Sequence, residues 1–134
     1  SASDIWETFQ ETYFNEDGKF KFLEHHINSR ANKDGIQEDE IEIKIIEGGK
    51  TKSINGKGNG PIDAMINALS KDLKLKIKIA DYHQHAISSG SDAKAVAYSE
   101  ISYKNQSFWG VGIHQNTVIA GLEAVINGLN RLSL

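Results

Sequence analysis

The run Gly56-Lys57-Gly58-Asn59-Gly60-Pro61 is the part of this 134-residue chain best suited to hold a small anion. Glycines let a backbone approach a ligand closely, and proline favours the first turn of a helix. A helix starting at Pro61, with Asn59 or Gly60 as its N-cap, presents unpaired N–H groups and a partial positive charge. A carboxylate suits that place. The same glycines equally serve a tight strand-to-helix connection, and residue types leave both readings open. Two phosphate motifs fail on spacing. Gly49-Lys50-Thr51 ends like a P-loop, but the glycine needed five residues before Gly49 is Lys44, so a hairpin turn is the better reading. Gly56-x-Gly58-x-Gly60 brings its third glycine one residue early for a dinucleotide fingerprint, and the next strand carries no clearly placed ribose acid.

Asp81, His83 and His85 alternate, so on a strand they share one face and offer three donors for an open zinc site. A further ligand is not evident, and exposure of His83 at a strand end is the better reading. His25 and His26 point to opposite faces. The serines show no nucleophile elbow. The carboxylates of Glu38-Asp39-Glu40 read as a solvated loop rather than an acid–base pair. Zero cysteines exclude disulfide and thiolate chemistry and fit a cytoplasmic setting. No catalytic residue, metal or cofactor is therefore expected within this chain. Ala93, Ala95 and Ala97 alternate as a strand face of very small residues, which either packs closely on a helix or leaves a cavity. Closed by Tyr82 and facing the glycine loop, such a cavity would take a molecule with one apolar and one charged end.

The elements that position these residues follow from apolar spacing. Asp4 and Glu7 form a capping arrangement, and Ile5, Trp6, Phe9 and Tyr13 predict a short helix. Strands are predicted around Phe20 to Ile27, Ile41 to Ile45, Thr51 to Gly56, Leu75 to Ile79, Ala93 to Tyr103 and Ser107 to Ile113, with a Gly48-Gly49 hairpin. Ile62, Met65, Ile66 and Leu69 give one helical face, and Val118, Leu122, Val125 and Leu129 another. The chain repeats itself. Ile62-Asp63-Ala64-Met65-Ile66-Asn67-Ala68-Leu69 returns as Leu122-Glu123-Ala124-Val125-Ile126-Asn127-Gly128-Leu129, and Gly56-Lys57-Gly58 returns as Gly110-Val111-Gly112. Glu40-Ile41 matches Glu100-Ile101 at the same offset of 60 as the helices. The expectation is an α+β fold: two pseudo-twofold-related strand-strand-strand-helix units, in antiparallel sheet layers with helices, after a short N-terminal helix. Residues 1–17 are read as that helix and a linker, and 18–134 as the duplicated domain.

Composition limits the partners. A net charge of -3 gives no case for nucleic acid, and no apolar run approaches membrane-spanning length. The chain opens Ser1-Ala2-Ser3 rather than with Met, which fits a piece of a longer protein.

Several segments together resemble the C-terminal regulatory domain of the 2-isopropylmalate synthase family. They are Gly56-x-Gly58-Asn59-Gly60-Pro61-Ile62-Asp63-Ala64, Asp81-Tyr82-His83-Gln84-His85-Ala86, Asp92-Ala93-Lys94-Ala95-Val96-Ala97-Tyr98 and Trp109-Gly110-Val111-Gly112-Ile113. Leu129-Asn130-Arg131 and the opening Asp4-Ile5-Trp6, with Phe9 and Tyr13, also match, so the likeness covers essentially the whole chain. The resemblance implies a homodimeric domain that binds L-leucine as feedback inhibitor of leucine biosynthesis. It implies an upstream catalytic barrel, outside this chain, that condenses acetyl-CoA with 2-oxoisovalerate using a divalent metal. The family's leucine pocket maps onto Asn59, Gly60, Pro61, Ile62, Asp63, Ile79, Tyr82, Ala86, Ala93 and Ala95. Position 63 varies between alanine and aspartate in the family. For the effector's ammonium group, backbone carbonyls and Asp81 are the candidates. An isoleucine-sensing regulatory domain of citramalate synthase and a ligand-free dimerisation domain are the rival readings.

Overall fold

Buried Ile41, Ile43 and Ile45 alternate with exposed Glu42 and Lys44, and this period of two builds the first sheet. A computed structural model describes residues 19–31, 33–35, 37–87 and 93–131; the helix expected over residues 1–17 lies outside them. Strands β1 (Phe20–Ala31), β2 (Gln37–Glu47) and β3 (Lys50–Gly58) pair in that order as an antiparallel meander. Gly48 and Gly49, with φ 56° and 84°, form the β2–β3 turn, whose left-handed backbone matches strand twist. A second meander follows, β4 (Lys78–Ala86), β5 (Ala95–Tyr103) and β6 (Gln106–His114). Its tight turn is Lys104-Asn105, left-handed at φ 48° and 62° without a glycine. Helix α1 (Pro61–Leu73) follows the first sheet and α2 (Thr117–Leu129) the second. The fold is thus α+β, one strand-strand-strand-helix unit made twice.

The first four strands end later than the sequence reading had them, β2 starts four residues earlier, and β4 and β5 start later. The fourth strand starts at Lys78 rather than Leu75 because the end of α1 claims the residues between. Lys74 takes a left-handed cap at φ 57°, the Leu75 N–H reaches the Ser70 carbonyl at 3.1 Å, and the Ile77 N–H reaches Ser70 Oγ at 3.3 Å. β5 starts at Ala95, two residues after the expected start.

Each helix covers its own sheet, α1 on β3 and β2, α2 on β6 and β5. The helices also touch each other, α2 reaches β1 and α1 reaches β4, so the helix pair lies between the sheets. One buried cluster joins Ile41, Ile43, Ile45, Met65, Leu69, Ile101, Leu122, Val125 and Leu129 across all these layers. The outer faces differ. The first sheet turns exposed Glu40, Glu42, Lys44 and Asn55 outward, whereas the second carries Val96, Tyr98, Trp109, Val111 and Ile113 there, with Val96 and Val111 fully buried within the chain and Trp109 exposed.

The glycines of β3 and β6 set the helix–sheet distance. A β-carbon on Gly56 would lie 2.6 Å from the Ala64 carbonyl and the Ala68 nitrogen; one on Gly110 would overlap the Ala124 carbonyl and the Gly128 nitrogen. The strand glycines are therefore related by 54 residues and the helix residues beneath them by 60. Asparagines repeat the relation: Asn67 Nδ2 donates to the Lys57 carbonyl at 2.7 Å, and Asn127 Oδ1 accepts from the Val111 N–H at 3.0 Å. The middle strands disagree with the sequence match. Ile41 pairs with Gly56 while Ser99 pairs with Gly110, so the partner of Ile41 is Ser99 and that of Asp39 is Ala97. The offset of 60 for Glu40-Ile41 is out of register by two.

This packing separates two glycine substitutions. Gly110→Ala should lower stability by about 1–3 kcal/mol or more, because backbone rather than a flexible side chain must move. Gly60→Ala should stay within about 0.5 kcal/mol, since its backbone is extended and nothing lies within 4 Å of the added carbon. Urea titration of both variants checks the contrast, and equal stabilities would contradict the packing described.

Candidate functional site

The two helix starts are built differently. Asn116 caps α2, its Oδ1 accepting from the Ile119 N–H at 3.0 Å. Gly60 caps α1 with no side chain, and Pro61 follows. The Asp63 carboxylate reaches back to accept the Asn59 N–H at 3.0 Å, which takes one donor of the loop. By helix geometry the N–H groups of Ile62 and Asp63 have no carbonyl of their own helix to bond. Both connections are two residues long, so the six residues between the 54 and 60 offsets lie in β6, which runs two residues past Gly112, and in α2, which starts one turn earlier than α1.

Ile62 carries the loop toward the second unit. A β-carbon on Gly121 of α2 would lie 2.7 Å from Ile62 Cδ1 and 2.6 Å from the Tyr82 hydroxyl. Ile62, Tyr82 and Gly121 thus converge. Tyr82 packs on Ala95, Ala97, Ala120 and Ala124, so the alanines of β5 lie closely on α2. Its hydroxyl donates to Gln84 Oε1 at 3.0 Å, and Gln84 Nε2 donates to the Thr117 carbonyl at 3.1 Å. Burial pushes the Tyr82 hydroxyl pKa up.

The residues expected to form the pocket fall into three groups. Asn59, Gly60, Pro61, Ile62 and Asp63 form the start of α1, and Ile62 joins them to Tyr82 and through it to Ala95. Ala86 pairs with Ala95 but is exposed, and Ala93 is half-buried just before β5. Ile79 sits apart: it pairs with Ile101, which packs at Gly128, two turns along α2 from Gly121. Gly121 and Gln84 had no distinguishing sequence signal.

Other candidates resolve simply. His83 Nε2 lies 3.0 Å from Asp81 Oδ2 on exposed surface, while His85 stacks on Tyr98 with ring centroids 5.6 Å apart. Asp81 Oδ1 accepts the Tyr82 N–H at 2.9 Å. Among the described residues no group of three His, Cys, Asp or Glu side chains could hold a metal ion. Asp39 overturns the solvated-loop reading. It lies in β2 in the inward row with Ile41, Ile43 and Ile45, is 3% exposed, and its Oδ1 has no hydrogen-bond partner. A groove of about 210 Å³ lined by Glu40, Asn55, Gly56, Lys57, Asn67 and Lys71 runs along β3 and α1.

Residues 1–133 match the family described as the LeuA allosteric (dimerisation) domain, and the chain belongs to that family. It is 41% identical over 129 residues to the 2-isopropylmalate synthase of Brucella melitensis, 40% identical over 129 to that of Rhizobium meliloti, and 42% identical over 130 to that of Rhodospirillum rubrum. Each match covers 96% of this chain and 23% of the relative. The chain therefore spans about a quarter of the length of these relatives.

Glu123 is the α2 counterpart of Asp63 by the helix offset, yet it lies half-buried in the second turn rather than at the cap. Burial raises its pKa, partly offset by nearby His114. A carboxyl that holds its proton more tightly when folded withdraws stability as pH rises through its unfolded value, near 4.5. Glu123→Gln should therefore melt above the parent at pH 7, with the gap closing below about pH 4. Melting curves across that range test it; a lower melting point for the variant at pH 7 would refute the assignment.

Proposed function

We propose that this chain is the effector-binding and dimerising part of a 2-isopropylmalate synthase, and that the effector is L-leucine. The observation that carries the reading is the side-chain-free start of α1, joined by Ile62 to Tyr82 and the alanine-lined surface of α2. A zwitterionic amino acid needs N–H donors for its carboxylate and an apolar slot for its side chain. The N–H groups of Ile62 and Asp63 supply the first, and Ile62, Tyr82 and Ala95 border the second. The names of the relatives support the assignment of the whole enzyme. Condensation of acetyl-CoA with 2-oxoisovalerate, with its divalent metal, belongs to a catalytic region outside this chain, in a cytoplasmic enzyme.

The allosteric reading requires leucine to bind one arrangement of the domain better than another, a coupling of typically about 1–3 kcal/mol. The homodimer is supported by the family's description as a dimerisation domain. Sedimentation should give a dimer with and without leucine; monomer alone at high concentration would exclude it.

Calorimetric titration with leucine, isoleucine and valine tests the effector. Leucine should bind tightest, although a single methyl position is worth only about 1–3 kcal/mol in a hydrophobic pocket. Isoleucine binding tightest would favour the citramalate synthase reading, and a dimer that binds none of the three would favour a ligand-free module. Gly60→Val should fold, given the space beside Gly60, but lose leucine affinity at least about tenfold because its side chain stands in the carboxylate's place. Parental affinity in a folded Gly60→Val would put the pocket elsewhere.

A further inference from the structure

Among the described residues Asp39 is the one charged side chain in the core, and its Oδ1 lacks any hydrogen-bond partner. A buried acceptor left unsatisfied is costly, and such groups call for a ligand, an ion or a water. Register places it beside the start of α1. Asp39 is opposite Gly58, and a β-carbon on Gly58 would lie 2.5 Å from the Asp63 carboxylate and 2.6 Å from the Ala64 nitrogen. The internal repeat gives the same location independently. Ala97, the counterpart of Asp39, packs on Ala120 and Ala124. Sixty residues earlier these positions are Gly60 and Ala64. In the second unit an extra helical turn, Thr117 to Ala120, lies over Ala97; in the first unit that turn is missing and a carboxylate stands where the alanine was.

We infer that Asp39 receives the ammonium group of the bound amino acid, an inference that rests on the effector reading above. The ligand's carboxylate then faces the N–H groups at the start of α1, and its ammonium faces the carboxylate paired across the sheet from Gly58. The two charges of a zwitterion meet a helix N-terminus and a buried acid, which selects α-amino acids over fatty acids of the same shape. The alternative ammonium partner, Asp81, is already bonded to His83 and to the Tyr82 N–H on exposed surface.

Calorimetry on the 134-residue chain tests this with three probes: leucine, 4-methylpentanoate, which lacks the ammonium group, and 3-methylbutylamine, which lacks the carboxylate. On the parent chain, 4-methylpentanoate should bind at least about tenfold more weakly than leucine. Asp39→Asn, nearly isosteric, should lose leucine affinity by at least about tenfold and lose 3-methylbutylamine binding, while 4-methylpentanoate binding is unchanged or improved. Circular dichroism establishes that the variant is folded. If it is not, the parent comparison still decides: 4-methylpentanoate binding as tightly as leucine overturns the inference. So does parental leucine affinity in folded Asp39→Asn, or loss of leucine binding in Asp81→Asn but not in Asp39→Asn. A parent chain that binds no leucine removes the effector reading itself, an outcome distinct from all of these.

Discussion

The absence of a β-carbon at Gly56 and Gly110 sets the distance between helix and sheet in both halves of this domain. At each, the strand lies so close to its helix that alanine or glycine must stand opposite: Ala64 and Ala68 in the first unit, Ala124 and Gly128 in the second. The close approach brings the strand edge within reach of Asn67 and Asn127, whose amides satisfy edge groups that would otherwise lie open. It leaves open the height at which each helix begins. What differs between the halves is therefore concentrated at the helix starts, where one has an asparagine cap and an extra turn and the other has Gly60 and Pro61.

Much of this was readable from residue order. Alternating isoleucines marked β2, paired glycines marked its turn, and the duplicated helix sequence carried the fold. The less legible parts have physical reasons. Lys104 and Asn105 adopt a left-handed turn that usually asks for glycine, so the β5–β6 hairpin had no glycine signature. The match of Glu40-Ile41 to Glu100-Ile101 followed side-chain likeness, whereas pairing with Gly56 and Gly110 decides true equivalence. Asp39 did leave a trace, since it falls on the inward phase of the Ile41-Ile43-Ile45 row. Its acidic neighbours Glu38 and Glu40 masked that phase. The site was legible as a loop and a set of small residues. The meeting of Ile62, Tyr82 and Gly121 was not, because it depends on how two units pack rather than on any local pattern.

Placing the helix pair between the sheets gives the start of α1 an unusual reach. Ile62 touches α2 and β4, Gly58 belongs to β3, and Asp39 to β2, so one small region borders both sheets and both helices. Polar groups left open there have a consequence for specificity. A ligand that satisfies only one of them leaves the others unpaired, and a buried unpaired group weighs more than a methyl group gained.

Asn130 bonds to both backbone groups of Phe20, accepting its N–H at 2.7 Å and donating to its carbonyl at 2.9 Å. The end of the last helix is thereby latched to the beginning of the first strand. A linear succession of two units becomes a closed loop in which each unit is held by the other at two points, the covalent connection and the latch. Repeats joined in a line can melt from a free end inward; repeats joined in a ring have no free end. Loss of either unit then opens the seam on both sides of its neighbour, which makes the pair a single cooperative body although its sequence is that of two.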